Sequence, residues 1–248
     1  MLTQKRYDLI LEFLNRHSSG SVADFVNITE SSEATIRRDL TFLESSGLLT
    51  RIHGGATLDK IEKEATFSDK SIRNLKEKVY IGKLAASLID DGDTVFIDAG
   101  TTTYEMLPFI DAESLTIVTN NMTLIDILVK KGYYVYLLGG KVKLTTRAIV
   151  GHDAIKKLEN LYFDKCFIGT NCVDLEHGYS TPDSDEGHIK RTAIMQSKQK
   201  FVLADHSKFH KTAFVQFAAL NEAALITNKN SSKFLSEAAK ITKIIGGE

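Results

Sequence analysis

The sequence predicts a two-part α/β protein, in which a small helical unit with one β-hairpin precedes a larger unit of alternating strands and helices. Before about residue 60, apolar residues recur mainly at helical spacing. After Gly92, short runs rich in Val, Ile, Leu and Phe alternate with helical patterns, which is typical of a parallel sheet covered on both faces. The 248 residues suffice for one large domain or two smaller ones.

Three helices and a hairpin account for the first unit. Apolar spacing predicts helices over residues 3–16 and 21–28, and Ser32 is a suitable N-cap for a third. The apolar stripe of the third helix comprises Ile36, Leu40 and Leu43. Strand-forming residues on both sides of Gly54 and Gly55 predict the hairpin. This is the plan of a winged helix-turn-helix, whose second helix of the turn enters the major groove of DNA.

Polar residues on the predicted third helix and on the hairpin are the candidate DNA contacts. Adjacent arginines suit phosphate contact or the bidentate recognition of guanine. The candidates are Ser32, Glu33, Thr35, Arg37 and Arg38 on the helix, and Arg51 and His53 beside the hairpin turn. The alternative is that Arg37 and Arg38 form a solvated helix face and pair with Asp39 or Glu44.

The net charge of −1 gives no support for nucleic-acid binding, because binders usually have a basic excess. Residues 1–60 alone contain seven Lys and Arg against eight Asp and Glu. Placement can outweigh this sum, since Arg37, Arg38 and Arg51 can converge on one face. We therefore expect DNA affinity to depend on base contacts and on the pairing of DNA-binding units in an oligomer.

A connector and a helix join the two units. Approximate helical spacing of apolar residues predicts one helix over residues 69–90. Its predicted apolar face comprises Ile72, Leu75, Val79, Leu84 and Leu88. The predicted boundaries are residues 1–58 for the DNA-binding unit, 59–92 for the connector and linking helix, and 93–248 for the α/β unit.

Residues 95–107, VFIDAGTTTYEML, contain a candidate anion site. A strand ends at Asp98, Gly100 allows close approach of the backbone, and three threonines precede a helix predicted over residues 104–110. The threonines are Thr101, Thr102 and Thr103. Free amides at a helix start, with hydroxyls beside them, bind anions and most often phosphate. The segment has neither the P-loop nor the Rossmann pattern, and the alternative is a Thr-rich helix cap without a ligand.

Polar residues also follow other predicted strands. The carboxyl ends of parallel strands lie at one edge of the sheet, where ligands bind in open α/β folds. Carboxylates and amides can recognise sugar hydroxyls, and lysines attract phosphate. The predicted strand ends are residues 98–101, 119–121, 139–141, 169–171 and 204–206, and Asp183, Glu186, Lys190 and Lys208 lie between them.

Residues 32–56, SEATIRRDLTFLESSGLLTRIHGGA, closely resemble the signature of the DeoR family of bacterial transcriptional regulators. The segments DAGTTT, TNN, LLGG, FDKCFIGTNCVDLEHGYSTPD and VLADHSKF match the family's sensor domain in order. The resemblance implies a sensor similar in fold to ribose-5-phosphate isomerase that binds a phosphorylated sugar. Gly100 and the three threonines would then hold the phosphate. The residues that would line the rest of the site are Asp98, Asn120, Gly140, Asp183, Glu186, Lys190 and Lys208. The chain is most similar to Gram-positive sugar-transport repressors, so we expect fructose 1-phosphate or tagatose 6-phosphate.

Two alternatives stay open at this stage. One is an isomerase-like enzyme with an attached DNA-binding module, because Asp174, Asp183, Glu186 and Lys190 could serve as acid and base. The other is an architectural DNA-binding protein without an effector. Lysines lie among His206 and His210, and a metal site needs three or four converging ligands. We expect no catalytic residue, no metal and no cofactor beyond the effector.

Membrane insertion and secretion are not predicted. No apolar run approaches the ~20 residues of a membrane helix, and the N-terminus lacks the pattern of a secretory signal. The two cysteines have no disulfide framework around them. The sequence therefore predicts a cytoplasmic repressor that binds double-stranded operator DNA and a small sugar phosphate as a homodimer or homotetramer.

Overall fold

The structure is a computed structural model that describes residues 3–17, 19–45, 48–52, 54–57, 66–228 and 232–247. The chain divides into two compact units, Met1–Glu64 and Ala65–Glu248. Each unit has its own hydrophobic core, as expected of separately packed domains.

The first unit is a winged helix-turn-helix, as predicted. Its elements are α1 (Thr3–His17), β1 (Ser19–Ser21), α2 (Val22–Thr29), α3 (Glu33–Ser45), β2 (Thr50–Ile52) and β3 (Gly55–Thr57). Strand β3 lies between β1 and β2 and is antiparallel to both. The predicted stripe of α3 is buried with Phe25, Ile10 and Leu14. The opposite side of α3 therefore faces solvent.

Local signals explain where α2 starts. Ser21 and Asp24 form a capping box, in which the Asp24 amide donates to Ser21 Oγ at 3.1 Å and the Ser21 amide donates to Asp24 Oδ2 at 2.8 Å. These two bonds satisfy amides that a helix start leaves without intrahelical partners. The helix-turn-helix thus begins at a fixed residue.

The second unit contains a seven-stranded parallel sheet. Its elements are α4 (Phe67–Ile72), α5 (Leu75–Ala86), β4 (Thr94–Ile97), α6 (Thr101–Tyr104), β5 (Thr116–Thr119), α7 (Ile125–Lys130), β6 (Tyr134–Leu137), β7 (Lys141–Lys143), β8 (Ala148–Val150), α8 (His152–Leu158), β9 (Phe163–Gly169), β10 (Cys172–Asp174), β11 (Gly178–Thr181), α9 (Ser184–Met195), β12 (Ser197–Leu203), β13 (Val215–Ala218), β14 (Ala224–Thr227), α10 (Lys233–Ala238) and β15 (Ile244–Gly246). The strand order in the sheet is β15-β14-β12-β9-β4-β5-β6.

Both faces of the inner strands of this sheet are buried, as the continuous apolar runs predict. The edge strand β6 is not covered in this way, because Tyr134 is 75% exposed and Tyr136 is 59% exposed. One core contains Phe96, Cys166 and side chains of α8 and α9, and the other contains Ile97, Phe167 and side chains of α5. Neighbouring strands are parallel, so β4, β5, β9 and β12 all end at one edge. We call this the C-terminal edge.

The prediction of one helix over residues 69–90 is wrong. The chain forms α4 and α5, separated by Arg73 and by Asn74 at a left-handed φ of 51°. The predicted apolar face is also shifted, because Ile72 is 77% exposed and the core contacts come from Ile81 and Ala85. The α5 backbone packs directly on the segment after α6, where a Cβ at position 82 would lie 2.6 Å from a backbone carbonyl oxygen.

Two further elements differ from the sequence prediction. The helix predicted over residues 104–110 is instead α6, Thr101–Tyr104, followed by a 3₁₀ turn at Leu107–Phe109. No antiparallel pair was predicted in the second unit, where the structure contains β7 with β8 and the three-stranded sheet β10-β11-β13. No helix in the described ranges is long and apolar enough to cross a membrane.

Candidate functional site

The solvent side of α3 presents the predicted DNA contacts. Ser32 precedes the helix and accepts a hydrogen bond from the Thr35 amide at 3.3 Å, so it has the role of an N-cap. Glu33, Arg37 and Arg38 are exposed. Arg37 pairs with Glu33 at 2.5 Å across one helical turn, whereas Arg38 has no ion pair with any described residue. Arg38 is thus the arginine of α3 that is most available for DNA.

Asp39 does not neutralise these arginines, contrary to the alternative from the sequence. Its carboxylate is buried and pairs with Arg6 of α1, with Arg6 Nε 2.7 Å from Oδ2. The second candidate partner, Glu44, accepts a bond from the Arg51 amide at 2.9 Å. The Arg-Arg-Asp run therefore separates into an exposed basic pair and a buried structural carboxylate.

The hairpin places Arg51 against α3. Arg51 Nη1 donates to Thr41 Oγ1 at 2.9 Å, and its Nε is buried without a hydrogen-bond partner among the described residues. Arg51 therefore fixes the wing to α3 in addition to any DNA contact. His53, the other wing candidate, lies outside the described residues. A cleft between α2, α3 and the hairpin turn is lined in part by Val26, Arg37 and Gly54.

Asp98 and Lys190 form the centre of the C-terminal edge. Asp98 follows β4 and is 1% exposed, and Oδ2 accepts bonds from Lys190 Nζ at 2.5 Å and from the Gly169 amide at 3.0 Å. Lys190 lies on α9 and also faces the ring of Phe217, with Nζ 5.9 Å from the centroid. The pair connects three separate segments of the chain at one point.

The three threonines differ in their surroundings. The Thr103 hydroxyl is buried and lies 2.7 Å from the Asp98 carbonyl oxygen, which gives it a structural role. Within the described part of the chain, the Thr101 and Thr102 hydroxyls have no hydrogen-bond partner. The first intrahelical bond of α6 runs from the Tyr104 amide to the Gly100 carbonyl at 3.1 Å. The amides before it are available to an anion.

Asn120 and Gly140 mainly order the backbone. Asn120 Oδ1 accepts from the Ala99 amide at 2.9 Å, and its Nδ2 donates to the Ile149 carbonyl at 3.3 Å. Gly140 has a φ of 148°, and a Cβ there would lie 2.7 Å from the Val150 carbonyl oxygen. Both residues position the loops around Asp98.

A second polar cluster lies at the start of α9. Asp183 caps this helix by accepting from the Glu186 amide at 2.9 Å. Lys143 Nζ lies 3.1 Å from Asp183 Oδ2 and 3.3 Å from Glu186 Oε1, and Thr146 donates to that same Glu186 oxygen at 2.5 Å. Glu186 and Thr146 are nearly buried. Lys143 and Thr146 were missed in the sequence, because their hairpin was not predicted.

A buried lysine adds a third cluster. Burial lowers the pKa of Lys78 to about 8, against the opposing attraction of Asp205 and Glu105. The positive charge of Lys208 lowers the pKa of Lys78 further. Lys78 Nζ also donates a hydrogen bond to the Lys70 carbonyl. On an amphipathic helix a lysine is usually solvated, so no sequence signal marked Lys78.

Two histidines of the C-terminal half, His206 and His210, contact an amide and an aromatic side chain. His206 Nδ1 lies 3.1 Å from Asn228 Nδ2, and the His210 ring meets the Phe234 ring edge-on. No group of three or more His, Cys, Asp or Glu residues among those described is arranged to hold a metal ion. The candidate ligand chemistry at the edge is therefore that of lysines, hydroxyls and carboxylates.

Each unit matches a known protein family domain. Residues 6–62 match the DeoR-like helix-turn-helix domain, and residues 73–229 match the DeoR C terminal sensor domain. The "Uncharacterized HTH-type transcriptional regulator FruR" of Bacillus subtilis is 44% identical, over 92% of this chain and 91% of that protein. The "HTH-type transcriptional repressor GlcR" of the same organism is 39% identical, over 91% and 88%. The "Lactose phosphotransferase system repressor" of Staphylococcus aureus (strain N315) is 37% identical, over 91% and 92%.

Solved structures give weaker likenesses. A ribose 5 phosphate isomerase A from Neisseria gonorrhoeae has a TM-score of 0.40 at 12% identity, over 53% of this chain and 52% of that one. The delta subunit of eIF2B from Chaetomium thermophilum has a TM-score of 0.45 at 15% identity, over 79% and 64%. Neither likeness is strong enough to carry an argument. The two matched domains, and relatives that match over most of their length, show that the chain belongs to the DeoR family and is a DNA-binding transcriptional regulator, not an enzyme.

Proposed function

We propose that the chain represses a sugar uptake or catabolism operon and that a phosphorylated sugar at the C-terminal edge modulates its binding to the operator. The observation that carries this is that the Thr101 and Thr102 hydroxyls, which bond to no described residue, closely follow Asp98, whose carboxylate pairs with Lys190. Phosphate needs such donors, and sugar hydroxyls need the carboxylates nearby. The similarity to the "Lactose phosphotransferase system repressor" of Staphylococcus aureus supports a sugar-related ligand.

The phosphate end of the ligand is assigned to the loop after β4. The amides of residues 100–103 and the hydroxyls of Thr101 and Thr102 are its donors. Lys208 and the buried Lys78 add positive charge near the same edge. Thr103 contributes by ordering the loop, because its hydroxyl is already bonded to the backbone.

The sugar end is assigned to the start of α9 and its surroundings. Asp183 and Glu186 are acceptors for sugar hydroxyls, and Lys143 lies within 3.3 Å of both carboxylates. The buried pair of Asp98 and Lys190 is assigned to the bottom of the ligand site. Asn120 and Gly140 order the neighbouring loops. Fructose 1-phosphate and tagatose 6-phosphate are the first ligands to test.

Operator binding is assigned to α3 and the wing. The contacts proposed are Ser32, Glu33, Thr35, Arg37, Arg38, Arg51 and His53. Operators are commonly two-fold symmetric, so we propose a homodimer or homotetramer that presents two recognition helices. We assign residues 1–58 to DNA binding, 59–92 to the link and 93–248 to sensing, in a cytoplasmic protein. Effector binding is expected to change operator affinity by about 5–150-fold, a typical coupling.

A thermal-shift experiment tests the ligand class on the full chain. Fructose 1-phosphate or tagatose 6-phosphate at 100 times its Kd should add about 2.7 kcal/mol to the stability of the sensor, a shift of several degrees. Fructose and inorganic phosphate are the controls and should act only weakly. Equal shifts from the sugar phosphates and from inorganic phosphate would contradict sugar recognition, and no shift from any phosphorylated sugar would favour an architectural DNA-binding protein.

A further inference from the structure

The turn between β7 and β8, residues 143–147, contacts two functional parts of the second unit at once. On one side, Thr146 donates to Glu186 Oε1 at 2.5 Å and Lys143 lies 3.3 Å from the same oxygen. Thr146 is 7% exposed and Glu186 is 6% exposed, so their bond is shielded from water. A ligand hydroxyl that reaches Glu186 must therefore compete with this turn.

On its other side, the same turn holds the first residue of α4. The Phe67 amide donates to the Thr145 carbonyl at 2.8 Å, and the Arg147 guanidinium lies over the Phe67 ring at 5.6 Å from its centroid. Arg147 has a left-handed φ of 59°, and its amide donates to the Lys143 carbonyl at 2.8 Å. Such a backbone conformation persists only where surrounding contacts hold it.

Helix α4 is held by such contacts and by the Phe67 ring, which meets the Tyr104 ring edge-on with centroids 6.1 Å apart. It has six residues, and none of them is buried. At its far end, Lys78 donates to the Lys70 carbonyl, and Asn74 Nδ2 donates to Asp205 Oδ1 at 3.0 Å. A short element without a buried apolar face opens easily when its polar contacts are lost.

We propose that turn 143–147 is an effector-responsive latch on α4. This inference rests on the proposed function. In the structure, the turn is bonded to Glu186 and holds Phe67 through the Thr145 carbonyl and Arg147. A sugar hydroxyl that takes the place of Thr146 at Glu186 frees the turn, and α4 is released. Along the chain, residues 58–65 connect α4 to the DNA-binding unit, so α4 is the helix of the second unit nearest to it in sequence.

Hydrogen exchange in the full chain tests the latch without any ligand. The Thr146→Val variant keeps the shape of the side chain and removes its bond to Glu186. Exchange of the α4 amides, including that of Phe67, should rise by about fivefold or more, the lower end of a typical coupling. The matched control is Leu144→Ala in the same turn, because Leu144 is 89% exposed. Unchanged α4 exchange in Thr146→Val, or an equal rise in Leu144→Ala, would overturn the latch.

A second variant acts on the α4 side of the turn. Arg147→Gly suits the left-handed backbone and removes only the contact with the Phe67 ring. It should also raise α4 exchange while leaving any thermal shift by fructose 1-phosphate in place. In the wild-type chain, a fructose 1-phosphate shift without faster α4 exchange would overturn the latch but leave the proposed function standing. Absence of any sugar-phosphate shift would count against the function, and the Thr146→Val result would still decide the latch.

Discussion

Asp98 and Lys190 form a buried ion pair across 92 residues of sequence, with Nζ 2.5 Å from Oδ2 and side chains 2% and 5% exposed. The pair connects the end of β4 to α9, which begins at Asp183 and contains Glu186. Thr101 and Thr102 follow Asp98 in the chain, and Glu186 lies one turn before Lys190 on α9. The pair therefore fixes the relative positions of the residues proposed to bind the phosphate and those proposed to bind the sugar.

Removing one partner of this pair should be strongly destabilising. Lys190→Met leaves the Asp98 carboxylate buried without its counter-charge, and we expect a loss of about 3–5 kcal/mol in the free energy of unfolding. Chemical denaturation of the full chain measures it. The neighbouring pair of Arg191 and Glu222 is the control, because its side chains are 42% and 35% exposed. Arg191→Ala should cost about 0–1 kcal/mol. Similar losses for the two variants would contradict the importance of burial.

DNA binding should depend strongly on Arg38. Its side chain has no ion pair with a described residue, so it can meet phosphate or guanine without first breaking a contact. Arg38→Ala should weaken operator binding by about 1–3 kcal/mol if it contacts a base. Fluorescence anisotropy on DNA selected from a random library measures the loss.

Arg16→Ala is the matched control for Arg38→Ala. Arg16 is an exposed arginine of α1 that pairs with Glu12 at 2.5 Å, outside the proposed recognition helix. The control should bind DNA normally, and both variants should keep any response to fructose 1-phosphate. If Arg38→Ala and Arg16→Ala weaken DNA binding equally, the assigned face of α3 is wrong.

The strands of the parallel sheet and the two-unit organisation could be predicted because their signals are local. Runs such as residues 94–97 and 201–203 are short, apolar and bounded by polar or turn residues, and these features mark buried parallel strands. The break between α4 and α5 gave no such signal. Asn74 adopts its left-handed conformation beside a bond to Asp205, which is 131 residues away in sequence.

The candidate site was predictable only where its residues follow strands or match a family motif. Asp98 and the threonines follow β4 directly, so topology alone brings them to the C-terminal edge. Lys78 and Thr146 reach the edge through packing of a helix and a hairpin. Neither residue type is unusual in such positions, so their roles depend on contacts that a single sequence does not reveal.

The phosphate assignment predicts a specific effect of Thr102. Its hydroxyl has no partner within the described residues, so Thr102→Ala breaks no internal hydrogen bond. The variant should weaken binding of fructose 1-phosphate by about 1.5–3 kcal/mol, the usual contribution of a hydrogen bond to a charged group. Binding to DNA should be unchanged. Isothermal titration measures the affinity, and Thr192→Ala, whose hydroxyl is bonded to the His188 carbonyl, is the control. Equal affinities for wild type and Thr102→Ala would show the assignment to be wrong.

Lys78 should make stability depend on pH. Burial lowers its pKa to about 8, from an ordinary value of 10.5. Between pH 8 and pH 10.5 the unfolded chain binds more protons at this position than the folded chain. The contribution of Lys78 to the free energy of unfolding therefore increases as pH rises. Compared with Lys78→Met, the wild-type chain should gain stability from about pH 8 to pH 10. A difference between the two proteins that stays constant with pH would contradict the lowered pKa.

The same lysine should make ligand affinity fall as pH rises. A phosphate monoester has a second pKa near 6, so its charge is nearly constant from pH 7.5 upwards. Lys78 loses its proton in that range, and an anion nearby favours the charged lysine. Affinity for fructose 1-phosphate should therefore decrease above pH 8 by up to about tenfold per pH unit. Lys78→Gln should bind more weakly at pH 7.5 and lose this decrease, whereas Lys83→Gln, at an exposed position of α5, should retain it. If Lys78→Gln keeps the wild-type pH profile, Lys78 lies too far from the phosphate to contribute.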